Sequence, residues 1–332
     1  MADRRRTNAP AGGTYAPVFA STLPDYEDSA PTRPSRTRSP DELRKIFLKT
    51  GLTPSASGSA YLELTPATTT SATTTIAAKP TKASLAFQTG SLKLSCVVQG
   101  PKPLPRSSPF TPYLNLTTTL KFAPFAARQR RGYVRDAGER DLGQHLEAAL
   151  RGIVIGERWP KSGVDVIITV LEGEEDGWAG DELGLDGGAG KGSVGMGWGM
   201  MNVLAGCITV ASAAIADAGI DCVDMVAGGV AALVRNAEGK EELVLDPSPP
   251  EHKDLVAACV VGYLPGRDEI TELWMKGDAG DRAEDLVERS VQAALASRLV
   301  LEEAVKESAA LKFPQFADQL LKAGNNDVEM AG

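Results

Sequence analysis

Apolar and polar positions alternate along several stretches of this chain in the period-two rhythm of strands. Ser59-Ala-Tyr-Leu-Glu-Leu64 alternates enough for a strand. Leu92-Lys-Leu-Ser-Cys-Val-Val98 ends at Gly100-Pro101, and Leu114-Asn-Leu-Thr-Thr-Thr-Leu-Lys-Phe122 ends at Ala123-Pro124. Val164-Asp-Val-Ile-Ile-Thr-Val-Leu171 is rich in β-branched residues and predicts a central strand. Shorter strands are expected at 225–234, 242–245, 257–263 and 270–275. A helical period runs through Leu142, Leu146, Ala149, Leu150, Ile153 and Val154, which predicts a helix from about 137 to 157, stopped by Pro160. Residues 201–218 are small and apolar, as suits a helix buried on most sides. A long helix is expected over 283–307, with Val287, Val291, Leu295 and Leu299 as its inner face. This order of elements implies one α+β domain of two layers, with helices packed against mostly antiparallel sheets.

Composition trims that domain at both ends and interrupts it twice. Residues 1–40 are rich in Pro, Ser, Thr and Arg without periodicity, and read as a disordered arm. The domain proper is expected over 41–312, with a Thr/Ala/Ser insertion near 66–80, a glycine-rich acidic insertion near 172–199, and a tail at 313–332. A net charge of -8 excludes a uniformly basic nucleic-acid-binding protein but leaves room for a local basic patch. Cys96, Cys207, Cys222 and Cys259 form no CxxC pair, and neither His145 nor His252 has a second His at ligand spacing, so neither zinc nor another metal is expected. Four unclustered cysteines read as reduced core thiols. No apolar segment follows the charged N-terminus, and the run from Leu204 to Ala216 is short for a bilayer, so a soluble intracellular chain without a membrane partner is expected.

Most motifs with chemical promise fail on spacing. Gly184-Leu-Asp-Gly-Gly-Ala-Gly-Lys-Gly-Ser193 suggests a phosphate loop, but Gly192 follows Lys191 where a magnesium-binding hydroxyl belongs, and Leu185 stands where the first glycine should. Gly195-Met-Gly-Trp-Gly199 lacks the spacing and setting of a dinucleotide site. Glu172, Glu174, Glu175 and Asp176 read as a solvated run, and two histidines, His145 on the outer side of a helix, build no nucleophilic triad. One cluster stands out. Arg128-Gln-Arg-Arg131, with Arg135 nearby, lies between a strand and a helix, where forked guanidinium donors suit a phosphate backbone. The alternative is a solubilising loop, or one paired with Asp136, Glu139 and Asp141.

Five segments resemble the RNase PH family in order and spacing: Gly58-Ser-Ala-Tyr-Leu-Glu63, Val97-Val-Gln-Gly-Pro101, Phe122-Ala-Pro-Phe125 followed by Arg128-Gln-Arg-Arg131, Trp159-Pro-Lys-Ser-Gly-Val-Asp-Val166 and Ala216-Asp-Ala-Gly-Ile220. The resemblance runs from about 41 to 310 and leans toward the RNA exosome ring subunits of that family. It implies an RNase PH-like fold and a site that attacks the RNA 3′ end with inorganic phosphate. Such a site needs a cationic turn for the phosphate and paired carboxylates for metal or proton. The family's Gly-Ser/Thr-Arg triplet aligns with Asn202-Val203-Leu204, so leucine replaces the arginine. Counting without gaps, its two aspartates fall on His252 and Ala258, with Asp254 close by.

The resemblance therefore implies a catalytically inert structural subunit with no cofactor. Its implied partners are other RNase PH-like exosome ring subunits, an S1/KH-type cap protein, RNA threaded past Arg128, Arg130 and Arg131, and a hydrolytic exoribonuclease bound to the ring. The nucleus and nucleolus, and also the cytoplasm, are the implied locations. The alternatives are an active phosphate-dependent 3′-5′ exoribonuclease and a free RNA-binding protein.

Overall fold

The alternating segments pair into two sheets, and the helical ones pack between and behind them. The computed structural model describes residues 34–65, 91–127, 132, 134, 136–177, 197–236 and 239–316, all within one compact unit. The first sheet comprises β1 (Ile46–Thr50), β2 (Gly58–Leu64), β3 (Leu92–Pro103), β4 (Asn115–Phe122) and β5 (Ser162–Glu172), in the order β1-β2-β3-β5-β4. Its pairs are antiparallel except β4 with β5, which run parallel because α1 (Ala137–Arg151) carries the chain across between them. The second sheet, β6 (Ala227–Arg235), β7 (Glu241–Leu245), β8 (Leu255–Leu264) and β9 (Glu269–Gly277), is antiparallel throughout in the order β7-β6-β8-β9. α2 (Gly199–Asp217) links the sheets, and α3 (Ala283–Lys312) closes the unit.

The α+β class and the sheet-and-helix layering follow the sequence expectation. Leu62, Leu94, Cys96, Val166 and Ile168 in the first sheet, Leu142 and Leu146 of α1, almost all of α2, and Ala232 and Val260 of the second sheet form one core. The other face of the second sheet, through Leu233, Cys259 and Val261, packs on Leu286, Ala293 and Ala294 of α3. Residues 199–215 of α2 are all buried, so its membrane-like hydropathy belongs to a core helix between two sheets. In α1, Leu142, Leu146 and Leu150 are fully buried, each contributing about 1.5–3 kcal/mol. The Asp136/Glu139 capping box is worth about 1 kcal/mol. Packing therefore sets where α1 lies, and the cap sets where it starts.

Four local expectations change. α1 ends at Gly152, well before Pro160, and Ile153 and Val154 leave the helix. β1 emerges in a segment without a predicted strand, five residues paired along their length with β2. Pro34 to Pro40, which composition assigns to the arm, lies against β7: the Leu245 N–H donates to the Pro40 carbonyl, and Arg36 donates to the carbonyls of Leu245 and Asp246.

The fourth change concerns α3, whose inner face is Leu286, Ser290, Ala293, Ala294, Ser297, Leu301 and Ala304, while Leu295 and Leu299 are 42% and 66% exposed. The physical reason is close approach. A Cβ on Gly229 would lie 2.2 Å from the Ala294 nitrogen and the Ser290 oxygen, so only small residues on α3 can meet β6 there. Its neighbour Gly228, on the opposite face, admits α2 in the same way, with the Ala205 oxygen at 2.2 Å.

Candidate functional site

Among the described residues, Arg44, Glu174 and Glu251 bring most of the buried charge to one place, beside the N-terminal end of α2, while Glu139 is buried separately at the start of α1. Arg44 lies two residues before β1, in phase with the buried Leu48 and Thr50, and is 3% exposed. Its Nε donates to Asp246 Oδ2 at 2.8 Å, and its Nη2 donates to Asp246 Oδ1 at 2.7 Å. The two terminal nitrogens donate to Glu174 Oε1 at 3.0 Å and Oε2 at 3.2 Å. Asn202, in the first turn of α2, donates from Nδ2 to Glu174 Oε2 and to the Pro247 carbonyl, both at 2.6 Å. Arg38 bridges Asp246 and Glu251 at 3.0 Å each. Three guanidinium groups, Arg36 included, thus meet three carboxylates, and the cluster has no net formal charge. Asp246 holds a left-handed backbone at φ 47, which aims its carboxylate at both β1 and the 34–40 segment.

Burial would raise the Asp246 carboxyl, but the doubly bonded Arg44 outweighs it and holds the group well below the ordinary carboxylate range. Glu174 goes the other way: its burial pushes the carboxyl up, against the pull of Arg44. Arg44 itself is raised despite its burial, because Asp246 and Glu174 face it. Glu174 is therefore not part of a solvated run. It is 6% exposed and carries an internal ion pair, while Glu172 accepts from the Ser91 N–H and pairs with Lys93, and Asp176 accepts from the Gly199 N–H.

The positions matched to the RNase PH site scatter around this cluster. Asn202 joins it, but Leu204, two residues on, points into the core with 0% exposure. Ala258, on β8 opposite Ala232, is 2% exposed in the same core. His252 caps the short 3-10 turn that carries Glu251. Asp254 is exposed, and its carbonyl accepts from the Arg235 N–H at 3.0 Å. Arg128, Arg130 and Arg131 lie outside the described residues, as do the glycine-rich segment from 184 to 193 and Gly195, while Phe125 and Val134, on either side of the three arginines in sequence, are 74% and 68% exposed.

Chemically the cluster is closed. All three nitrogens of the Arg44 guanidinium donate to internal carboxylates, so an incoming phosphate would have to compete with Glu174 and Asp246 for a buried cation. Among the described residues no group of three His, Cys, Asp or Glu side chains could hold a metal ion. The thiols of Cys96 and Cys207 are fully buried, and burial raises both; that of Cys222 is pushed up to about 11. His145 is not on an outer face: it stacks on Trp274 of β9, ring centroids 5.1 Å apart, with Nδ1 2.8 Å from Glu272 Oε1. Sequence reasoning missed Arg44, Glu174 and Asp246. The available signal was the alternation Arg44, Ile46, Leu48, which places an arginine in phase with an inward-facing strand.

The chain matches the 3′ exoribonuclease family, domain 1, over residues 42–221. It is 51% identical over 320 residues to exosome complex component MTR3 of Chaetomium thermophilum, covering 93% of this chain and 99% of that protein. Exosome complex component mtr3 of Schizosaccharomyces pombe is 28% identical, with 92% and 96% covered. The protein named exosome complex component MTR3 in Homo sapiens is also 28% identical, with 84% of each covered. Among solved structures, rice (Oryza sativa) Rrp46 aligns at a TM-score of 0.58 and 16% identity over 81% of this chain and 98% of that one, a likeness of fold. The family match takes in the first sheet, α1 and α2, with Arg44, Glu174 and Asn202 of the ionic cluster, and the chain belongs to the RNase PH-type 3′ exoribonuclease family.

Proposed function

We propose that this chain is a non-catalytic structural subunit of the RNA exosome core ring, supporting 3′-5′ RNA processing and degradation by assembling the ring and lining its channel. The observation that carries the reading is 51% identity across 93% of the chain to a protein named as an exosome complex component. Catalytic inertness is supported by the closed ionic cluster and by Leu204 and Ala258, whose apolar side chains are buried where the family's motif has an arginine and an aspartate. In this reading the chain pairs with other RNase PH-like subunits and carries an S1/KH-type cap protein, and an associated hydrolytic exoribonuclease does the cutting. Arg128, Arg130 and Arg131 are its RNA contacts in the channel, and the nucleus, nucleolus and cytoplasm are its locations.

Native mass measurement of the tagged protein from cells tests the reading. The expected result is a complex with several RNase PH-like chains of similar size. Recovery as a monomer alone overturns it and favours a free RNA-binding protein. Phosphate-dependent release of nucleoside diphosphates by the purified protein, lost on Asp254→Ala, would overturn the inert assignment. Crosslinking of RNA threaded through the assembled complex should drop when Arg128, Arg130 and Arg131 become Glu, and unchanged crosslinking removes those residues from the channel.

A further inference from the structure

A strap of chain crosses the β7 edge of the second sheet. Residues 34–39 form neither helix nor strand, and β7 is the last strand on that side. Leu245, at its end, is tied twice: its N–H donates to the Pro40 carbonyl at 2.8 Å, and its carbonyl accepts from Arg36 Nη2 at 3.0 Å. Arg38 adds ion pairs to Asp246 and Glu251. Arg36 differs from Arg38 and Arg44 in what it holds. Its Nη2 serves the carbonyls of Ser39 at 2.8 Å and of Glu42 and Leu245 at 3.0 Å, while Nη1 reaches the Asp246 carbonyl and Nε that of Arg38, each at 3.3 Å. Among the described residues, all five of its bonds end on carbonyls and none on a carboxylate. Burial, and then the like charge of Arg38, lower this guanidinium from its ordinary value.

Ser39 is where a counter-charge for Arg36 can be attached. The residue is exposed, and its hydroxyl makes no hydrogen bond among the described residues. In sequence, Arg36-Thr-Arg-Ser39-Pro40 sets an arginine three residues before the serine and a proline directly after it, a pattern of the kind protein kinases read. The lack of regular secondary structure around it leaves the segment free to be lifted into an extended conformation at the cost of a few local contacts.

We propose that Ser39 is a phosphorylation site and that its phosphate unlatches the 34–40 strap from β7. In the transfer, Ser39 Oγ attacks the γ-phosphorus of ATP, gives its proton to the kinase's base and releases ADP. The new group carries about -1.5 to -2 charge at pH 7. Arg36 Nη2 already lies 2.8 Å from the carbonyl of the same residue, which brings the phosphate oxygens within its reach. A charge-assisted bond is about twice as strong as one to a neutral carbonyl. Arg36 therefore turns from Leu245, 209 residues away in sequence, to a group three residues along its own segment. A tie between segments becomes a tie within one. Repulsion acts in the same direction, because Glu42 accepts the Ser39 N–H at 3.3 Å and Arg38, the preceding residue, holds two more carboxylates. Neither the site nor its effect depends on ring membership.

The test uses the full chain. Phosphopeptide mass spectrometry of the tagged protein, taken from the cells that make it, should find phosphate on Ser39. Phosphate on Ser35 or Thr37 alone overturns the choice of residue, and none across 35–39 overturns the site. Hydrogen exchange then compares the chain carrying phosphoserine at 39 with the unmodified one. Exchange of the Leu245 amide and of residues 36–45 should quicken about tenfold, with α2 unchanged. Arg36→Gln without phosphate should quicken the same amides, and phosphate added to that variant should change them little further, while Ser39→Ala keeps the unmodified rates. Unchanged exchange on phosphorylation overturns the release, and slower exchange overturns its direction by showing that phosphate tightens the strap. A full further quickening in phosphorylated Arg36→Gln overturns Arg36 as the group that the phosphate captures.

Discussion

Arg44 shows how one side chain ties distant segments together and sets their response to acid. Its guanidinium is 1% exposed, pairs with the buried Glu174 and shares Asp246 with Arg38. Arg44→Ala should cost about 3–5 kcal/mol in urea unfolding, since breaking a buried pair strands the remaining charges. The same cluster sets an acid limit. The folded Asp246 carboxyl sits below its unfolded value, so its contribution is complete above about pH 4 and is lost as pH falls through the lower, folded value. Glu174 has the opposite sign, because a carboxyl raised by burial costs stability as pH rises through its ordinary range. Melting temperatures of wild type and Asp246→Asn should therefore differ most near neutrality and converge below about pH 4; a gap that stays constant with pH would contradict this assignment. Leu204→Arg, at the position that the resemblance aligns with the family's arginine, should yield no phosphorolysis and a loss of soluble protein, because position 204 is fully buried in the core. Phosphate-dependent degradation by that variant would show that the site is intact apart from this one residue.

At the scale of elements, glycine decides where helices sit. Gly228 and Gly229 face opposite sides of β6 and admit α2 and α3. Alanine at either position must push a helix backbone away, and each substitution should cost about 1–3 kcal/mol in chemical denaturation. Gly143 inside α1 offers the contrast: an added Cβ would meet only Thr118, at 3.9 Å and beyond, so Gly143→Ala should stabilise by about 0.5–1 kcal/mol. Equal effects at 143 and 229 would contradict this account. The same close approach explains what the sequence could and could not reveal. Strands such as β2 and β3 were legible because one face is buried and the other is not, which prints the alternation directly. α3 was legible as a helix, but its apolar stripe named the wrong face, since Ser290, Ala293, Ala294 and Ser297 read as neutral until Gly229 is placed beneath them. β1 was hidden by its brevity and by an arginine in the inward phase. Glu174 looked like one acid among several because its partner Arg44 lies 130 residues away in sequence.

For the whole molecule, these contacts imply a single folding unit. α2 is buried on one side by the first sheet and on the other by the second, so neither layer can open without exposing it to water. The ionic cluster adds a second tie, joining the start of β1, the segment after β5, the first turn of α2 and the turn after β7. Separating the layers would expose apolar surface and unpair buried charge in the same step, and such coupled costs favour an all-or-none transition. Urea unfolding should show one transition, coincident by far-UV circular dichroism and by tryptophan fluorescence, because the four tryptophans include Trp159 before β5, Trp198 at the start of α2 and Trp274 on β9. Leu94→Ala in the first sheet and Leu233→Ala in the second, both side chains at most 1% exposed, should each lower that shared stability by about 2–5 kcal/mol. If Leu94→Ala moves the fluorescence change but leaves a later transition in place, the two layers fold separately and the coupling through α2 and Arg44 is weaker than its burial implies.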